Sequence, residues 1–145
     1  MSFIDKIPNF IRWLLVPVVV VLTALIVWVL STIASKVIVF ISETGGYGYA
    51  GGFLSANFFD YILNPGLGSF ASVIAAAIMA PKFEKAVAIT IGCLWLMVSG
   101  SMAYAAVILA NWPGLLVTVS ISVGCWIAVN SDEYYASRAS VTDEQ

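Results

Sequence analysis

Four apolar stretches, separated by short polar or glycine-rich connections, organise this chain. The first covers residues 13–36. At 1.5 Å per residue it gives roughly 36 Å of helix, enough to cross a hydrocarbon layer of ~30 Å. Pro17 lies near its start, where it causes at most a kink. Residues 37–41 are again apolar and prolong the helix beyond Lys36. Residues 67–80, 86–110 and 115–129 predict three further spans, of which 67–80 and 115–129 are short. Pro81-Lys82-Phe83-Glu84-Lys85 and Asn111-Trp112-Pro113-Gly114 read as the intervening turns.

Residues 43–68 are the irregular part. Five glycines between 45 and 52 interrupt regular structure, with Tyr47, Tyr49 and Phe53 among them. Helical periodicity returns over 53–64. Asn57, Asp60 and Asn64 share one face, while Leu54, Phe58, Tyr61 and Ile62 gather on another. That pattern predicts an amphipathic helix lying in a membrane interface, ended by Asn64-Pro65-Gly66. The glycine-aromatic segment itself reads as a re-entrant lid, a docking surface or a plain interfacial loop. In the polar tail, 130–145, Asn130 and Glu133 have the spacing of a helix capping box.

The expected fold is therefore all-α: a polytopic four-helix transmembrane bundle, one domain over 1–145, with an interfacial helix in the first external loop. Composition agrees, with 61% hydrophobic and 10% charged residues and a mean hydropathy of +1.01. The two halves share neither span lengths nor polar placement, so no internal repeat is expected. The apolar run after Lys6 and Arg12 is longer than a cleavable signal core of about 7–15 residues, and it predicts an uncleaved first span.

Charge sets the expected orientation. With the N-terminus inside, Lys6, Arg12, Lys82, Lys85 and Arg138 are cytoplasmic, five of the 6 basic residues. Only Lys36 then faces outward. The positive-inside rule predicts both termini in the cytoplasm, with a bacterial inner (plasma) membrane as the default location.

Chemistry is sparse. There is no histidine, which removes the commonest general base and metal ligand near neutral pH. No carboxylate pair or activated nucleophile is apparent at membrane depth, so no enzyme, cofactor or metal centre is expected. Scattered basic residues do not make a nucleic-acid footprint. Cys93 and Cys125 lie in spans three and four, without CxxC spacing, and read as small buried hydrophobes.

Three arrangements carry the functional expectation. Gly68, Ser72, Ala76 and Ala80 recur every fourth residue along span two, and Gly100 and Gly124 lie in spans three and four. Small residues let membrane helices approach closely, so these six are expected at packing interfaces, within the bundle or toward partners. A polar stripe joins Thr90, Cys93, Met97, Ser101 and Tyr104 on span three, matched by Thr118, Ser122 and Cys125 on span four. It is a candidate pore lining. Lys36 is the one basic group near a span interior, and Asp60 or Glu43 is its candidate ion-pair partner, unless it snorkels outward.

Two functions of different kind follow as expectations. The first is a non-catalytic inner-membrane subunit packing within a larger assembly for secretion, conjugation or transport. The second is a self-assembling homo-oligomeric pore lined by spans three and four. The expected partners are membrane lipid and other membrane subunits or copies of the chain.

Overall fold

The computed structural model describes residues 8–44, 58–80, 83–131 and 135. The Gly-rich stretch at 45–57, including the first half of the expected interfacial helix, lies outside them, as do Lys82 and most of the tail. The described residues form helices: α1 (Asn9–Thr44), α2 (Phe59–Met79), α3 (Glu84–Ile108) and α4 (Trp112–Val129). All four are long and apolar enough to cross a membrane.

α1 is a single 36-residue helix running through both Pro17 and Lys36. Its length is about 54 Å, more than a hydrocarbon layer needs. Nothing in 18–44 breaks it, because that stretch contains neither proline nor glycine.

α2 differs from the sequence expectation. Asn64-Pro65-Gly66 does not end a helix there. The chain passes through these residues, from a π-helical turn at Phe59–Leu63 into the α-helix Asn64–Met79. The physical reason is local. A proline inside an α-helix lacks a donor and collides with the carbonyl four residues back. The widened turn hydrogen-bonds Asn64 N–H to Phe59 O, five residues back, and so accommodates Pro65 without a break. Gly66 is present for a different reason from a turn. A Cβ there would lie 2.7 Å from Ser120 Oγ of α4. Phe59–Asn64 thus belongs to the second candidate span, and Asp60 and Asn64 lie inside it.

α3 ends in a pair of bonds that close its last turn. Asn111 N–H donates to Ala106 O at 2.8 Å and Ala110 N–H to Val107 O at 3.2 Å. Ala110 takes a left-handed conformation to allow this, with φ 49°, a role usually filled by glycine. Asn111 then caps α4, its side chain accepting from Gly114 N–H at 3.3 Å. Trp112, Pro113 and Gly114 are accordingly the first turn of α4, not a separate connection. At the far end Asn130 Nδ2 donates back to Trp126 O at 2.9 Å, and Tyr135 Oη donates to Ala128 O at 3.0 Å.

α2 is the hub. It packs against α1, α3 and α4, and α3 and α4 pack on each other. Small side chains fill much of the interior: Val73, Ala77, Ala88, Cys125 and Ala128 beside Ile121 and Tyr135 in one cluster, and Val16, Ala76, Ala80 and Val87 beside Met79 in another. Large residues such as Trp28, Leu30, Met97 and Trp126 are exposed. Small residues at the contacts let the helices approach closely.

Candidate functional site

Polar side chains inside the bundle sit where helices meet. At one end, the Arg12 guanidinium of α1, only 8% exposed, donates from Nε to Met79 O and from Nη2 to Ala80 O, each at 3.2 Å. Those carbonyls close α2 and have no partner further along their own helix. A guanidinium there also meets the negative end of the helix dipole. Read from sequence, Arg12 is merely a flanking charge. Its acceptors are 67 and 68 residues away, and no local signal points to them.

In the centre, Trp95 Nε1 donates to Ser72 Oγ at 2.9 Å, joining α3 to α2. Ser72 Oγ in turn bonds Ser69 O at 2.9 Å. Ser69 Oγ reaches across to Ile121 O of α4 at 3.2 Å. Between α3 and α4, Ser99 Oγ donates to Thr118 O at 2.9 Å and lies 3.3 Å from Ser122 Oγ. Each bond leaves a hydroxyl satisfied at a helix contact, where an unmade bond in a buried position is costly.

The closest approach is between α2 and α4. A Cβ on Gly124 would strike the Gly66 carbonyl oxygen and Ser69 Oγ. Just above, Ser120 Oγ donates to Ile62 O within the π turn. The turn also holds Asn64, 2% exposed, whose Nδ2 faces Asp60 Oδ1 at 3.4 Å. Asn64 Oδ1 is buried without a hydrogen-bond partner.

The residues singled out from sequence divide as follows. Gly68, Ser72, Ala76, Ala80 and Gly124 are buried within the bundle. Ala76 and Ala80 face Val16 of α1, and Ser72 faces Trp95. Gly100 is exposed, and a Cβ added to it meets nothing within 4 Å. The polar stripe stays together only in part. Thr90, Cys93, Ser101 and Tyr104 point outward from α3, with Thr90 Oγ1 on Ala86 O and Ser101 Oγ on Val98 O of their own helix. Thr118 is buried and Ser122 half-buried against Ser99. Cys93 of α3 nonetheless shares with Thr118, Ser122 and Cys125 of α4 the wall of one groove between the two helices, whereas Thr90, Ser101 and Tyr104 are not part of that wall. Helical spacing defines a face, but not which neighbour that face meets.

Lys36 is exposed on α1. Asp60 is bonded to Asn64, and among the described residues no ion pair joins Lys36 to Asp60. The side chain of Glu43 lies outside them. Cys93 is exposed and Cys125 buried, and both are free thiols, so the expectation of two buried hydrophobes holds for Cys125 alone. No group of three or more His, Cys, Asp and Glu converges among the described residues.

One concavity accompanies these contacts, a largely apolar groove of about 840 Å³ between α3 and α4. Gly92, Cys93, Leu96, Gly100, Val119 and Trp126 form much of its wall. It presents neither a nucleophile beside a base nor a charged anchor. No protein-family model matches the chain, and neither the curated proteins nor the solved structures contain a match to it.

Proposed function

We propose that this chain is a non-catalytic integral membrane subunit that packs within a larger inner-membrane assembly, with both termini cytoplasmic. The observation that carries this reading is where the interior polar groups are used. Arg12, Ser69, Ser72, Trp95, Ser99 and Ser120 each tie one helix to another, and none is paired as an acid, base or nucleophile. Meanwhile α1 is held principally through α2, leaving most of its apolar perimeter for lipid or a neighbouring subunit. The orientation rests on charge: Arg12 and Lys85 lie at the same end of the bundle, which the positive-inside rule assigns to the cytoplasm. Native mass spectrometry after gentle extraction from the native membrane tests the proposal. Fixed proportions of other subunits are expected, and a chain that always emerges alone would refute it.

One observation favours a second reading, a homo-oligomeric pore. Thr90, Cys93, Ser101 and Tyr104 form an outward polar stripe on α3, and copies of α3 around an axis would line a path with it. In that case Ser101→Leu abolishes conductance in liposomes. Unchanged conductance removes α3 from the lining.

A further inference from the structure

The groove between α3 and α4 runs along both helices, from Ile89 to Ala103 on one and from Asn130 back to Thr118 on the other. At 1.5 Å per residue that is about 20 Å, and it lies within two candidate membrane spans. Gly92 and Gly100 bring no side chain to its wall. Cys93 and Gly100 are exposed, so the groove opens sideways to the surroundings of the bundle. Its hydroxyls are already engaged. Ser99 Oγ and Ser122 Oγ both donate to Thr118 O at 2.9 Å, and Thr118 Oγ1 donates to Leu115 O at 2.7 Å. Among the described residues no charged side chain lines the groove. A sugar, nucleotide or ion would give up its hydration here with no free hydroxyl proton or charge to receive it, which is unfavourable. The occupant is therefore hydrocarbon.

Size separates the two apolar occupants that a membrane offers, a helix and a lipid. The groove has a volume of about 840 Å³, which over its length is a cross-section of about 40 Å². A helix with its side chains is about 10–12 Å across, or about 80–110 Å² in section. A polymethylene chain, whose non-bonded contacts lie at about 4 Å, needs about 20 Å², so two fit side by side. An extended chain advances about 1.25 Å per carbon for a C–C bond of about 1.5 Å, and about 16 carbons fill the length. That length also covers one leaflet, about half of a ~30 Å hydrocarbon core.

We propose that the α3–α4 groove holds one phospholipid, with its two acyl chains lying along the helices. The inference rests on α3 and α4 spanning a membrane, and is independent of which assembly the chain joins. Native mass spectrometry of the purified chain in detergent, titrated with palmitoyloleoylphosphatidylcholine, tests it. The zwitterionic headgroup leaves the acyl chains to carry the binding. Saturable retention of one lipid is expected. Gly100→Leu fills the groove without meeting a neighbour, since a Cβ there has nothing within 4 Å, and should abolish retention. Val119→Trp narrows the groove from the α4 side at a position 60% exposed. It should also abolish retention, and it carries the test if Gly100→Leu fails to fold. Val107→Trp, at an exposed position outside the groove, should keep the lipid. A wild-type chain that retains no lipid saturably overturns the proposal, as does a lipid kept by both groove variants. A wild-type dimer that Gly100→Leu dissociates overturns it too, because a helix of a second copy would then fill the groove.

Discussion

Arg12 Nη2 donates to the carbonyl oxygen of Ala80 across 3.2 Å, and through this bond the start of α1 is fastened to the end of α2. A second bond from Nε to Met79 O makes the contact two-pronged. Arg12→Leu leaves two buried carbonyls without a donor, and hydrogen bonds to charged groups contribute about 1.5–3 kcal/mol. The expected loss of stability is of that order. Arg12→Lys is expected to lose less, because an ammonium still donates but lacks the planar fork. Thermal unfolding of both variants in detergent checks the ranking, and equal stability of Arg12→Leu and wild type would contradict it.

Two glycines make opposite predictions. Gly124 faces the Gly66 carbonyl with no room for a methyl group, whereas a Cβ at Gly68 meets nothing within 4 Å. Gly124→Ala should force α2 and α4 apart at a cost of about 1–3 kcal/mol. Gly68→Ala should be neutral or favourable by up to about 1 kcal/mol, the helix-propensity difference. Denaturation of the two variants side by side decides the matter, and the same sign of effect in both would be evidence against the α2–α4 contact described.

Ala110 holds a left-handed backbone, φ 49°, to close α3. A side chain makes that conformation unfavourable by about 1–2 kcal/mol. Ala110→Gly removes the conflict, offset in part by glycine's greater freedom in the unfolded chain. A net gain in Tm is expected from scanning calorimetry. A lower Tm would indicate that the α3–α4 turn is closed differently.

The two thiols should react unequally. Cys93 is exposed and Cys125 is 1% exposed. In detergent, a small maleimide is expected to modify Cys93 and spare Cys125 until the protein unfolds, as mass spectrometry of the peptides would record. Modification of Cys125 at the same rate would mean that α2 and α4 separate readily.

The helices themselves were legible because long apolar runs leave few alternatives, and α1, α3 and α4 fall close to the residues expected from hydropathy. Pro65 misled, since the penalty for a proline is a local rule while its remedy, a turn wound one residue wider, depends on what Gly66 and Ser120 do across the helix interface. That misreading also placed Asp60 outside the spans. The ladder Gly68-Ser72-Ala76-Ala80 could be recognised from its spacing. Its neighbours, Val16 on one flank and Trp95 on another, are tertiary facts with no local trace. The outward position of Thr90 and Ser101 was hidden for the same reason, as their hydroxyls bond to their own helix and are equally content on any face.

The Arg12 clasp has a consequence for the order of events during synthesis. In a growing chain the guanidinium is made first, and its acceptors arrive only 67 and 68 residues later, when residues 79 and 80 have been added. Until then α1 has no polar hold on α2 at that end. The first hairpin is thus latched late, by the last turn of its second arm. A ribosome-bound chain stopped before residue 79 would hold α1 on α2 by apolar contacts such as those of Val16 and Ala76 alone.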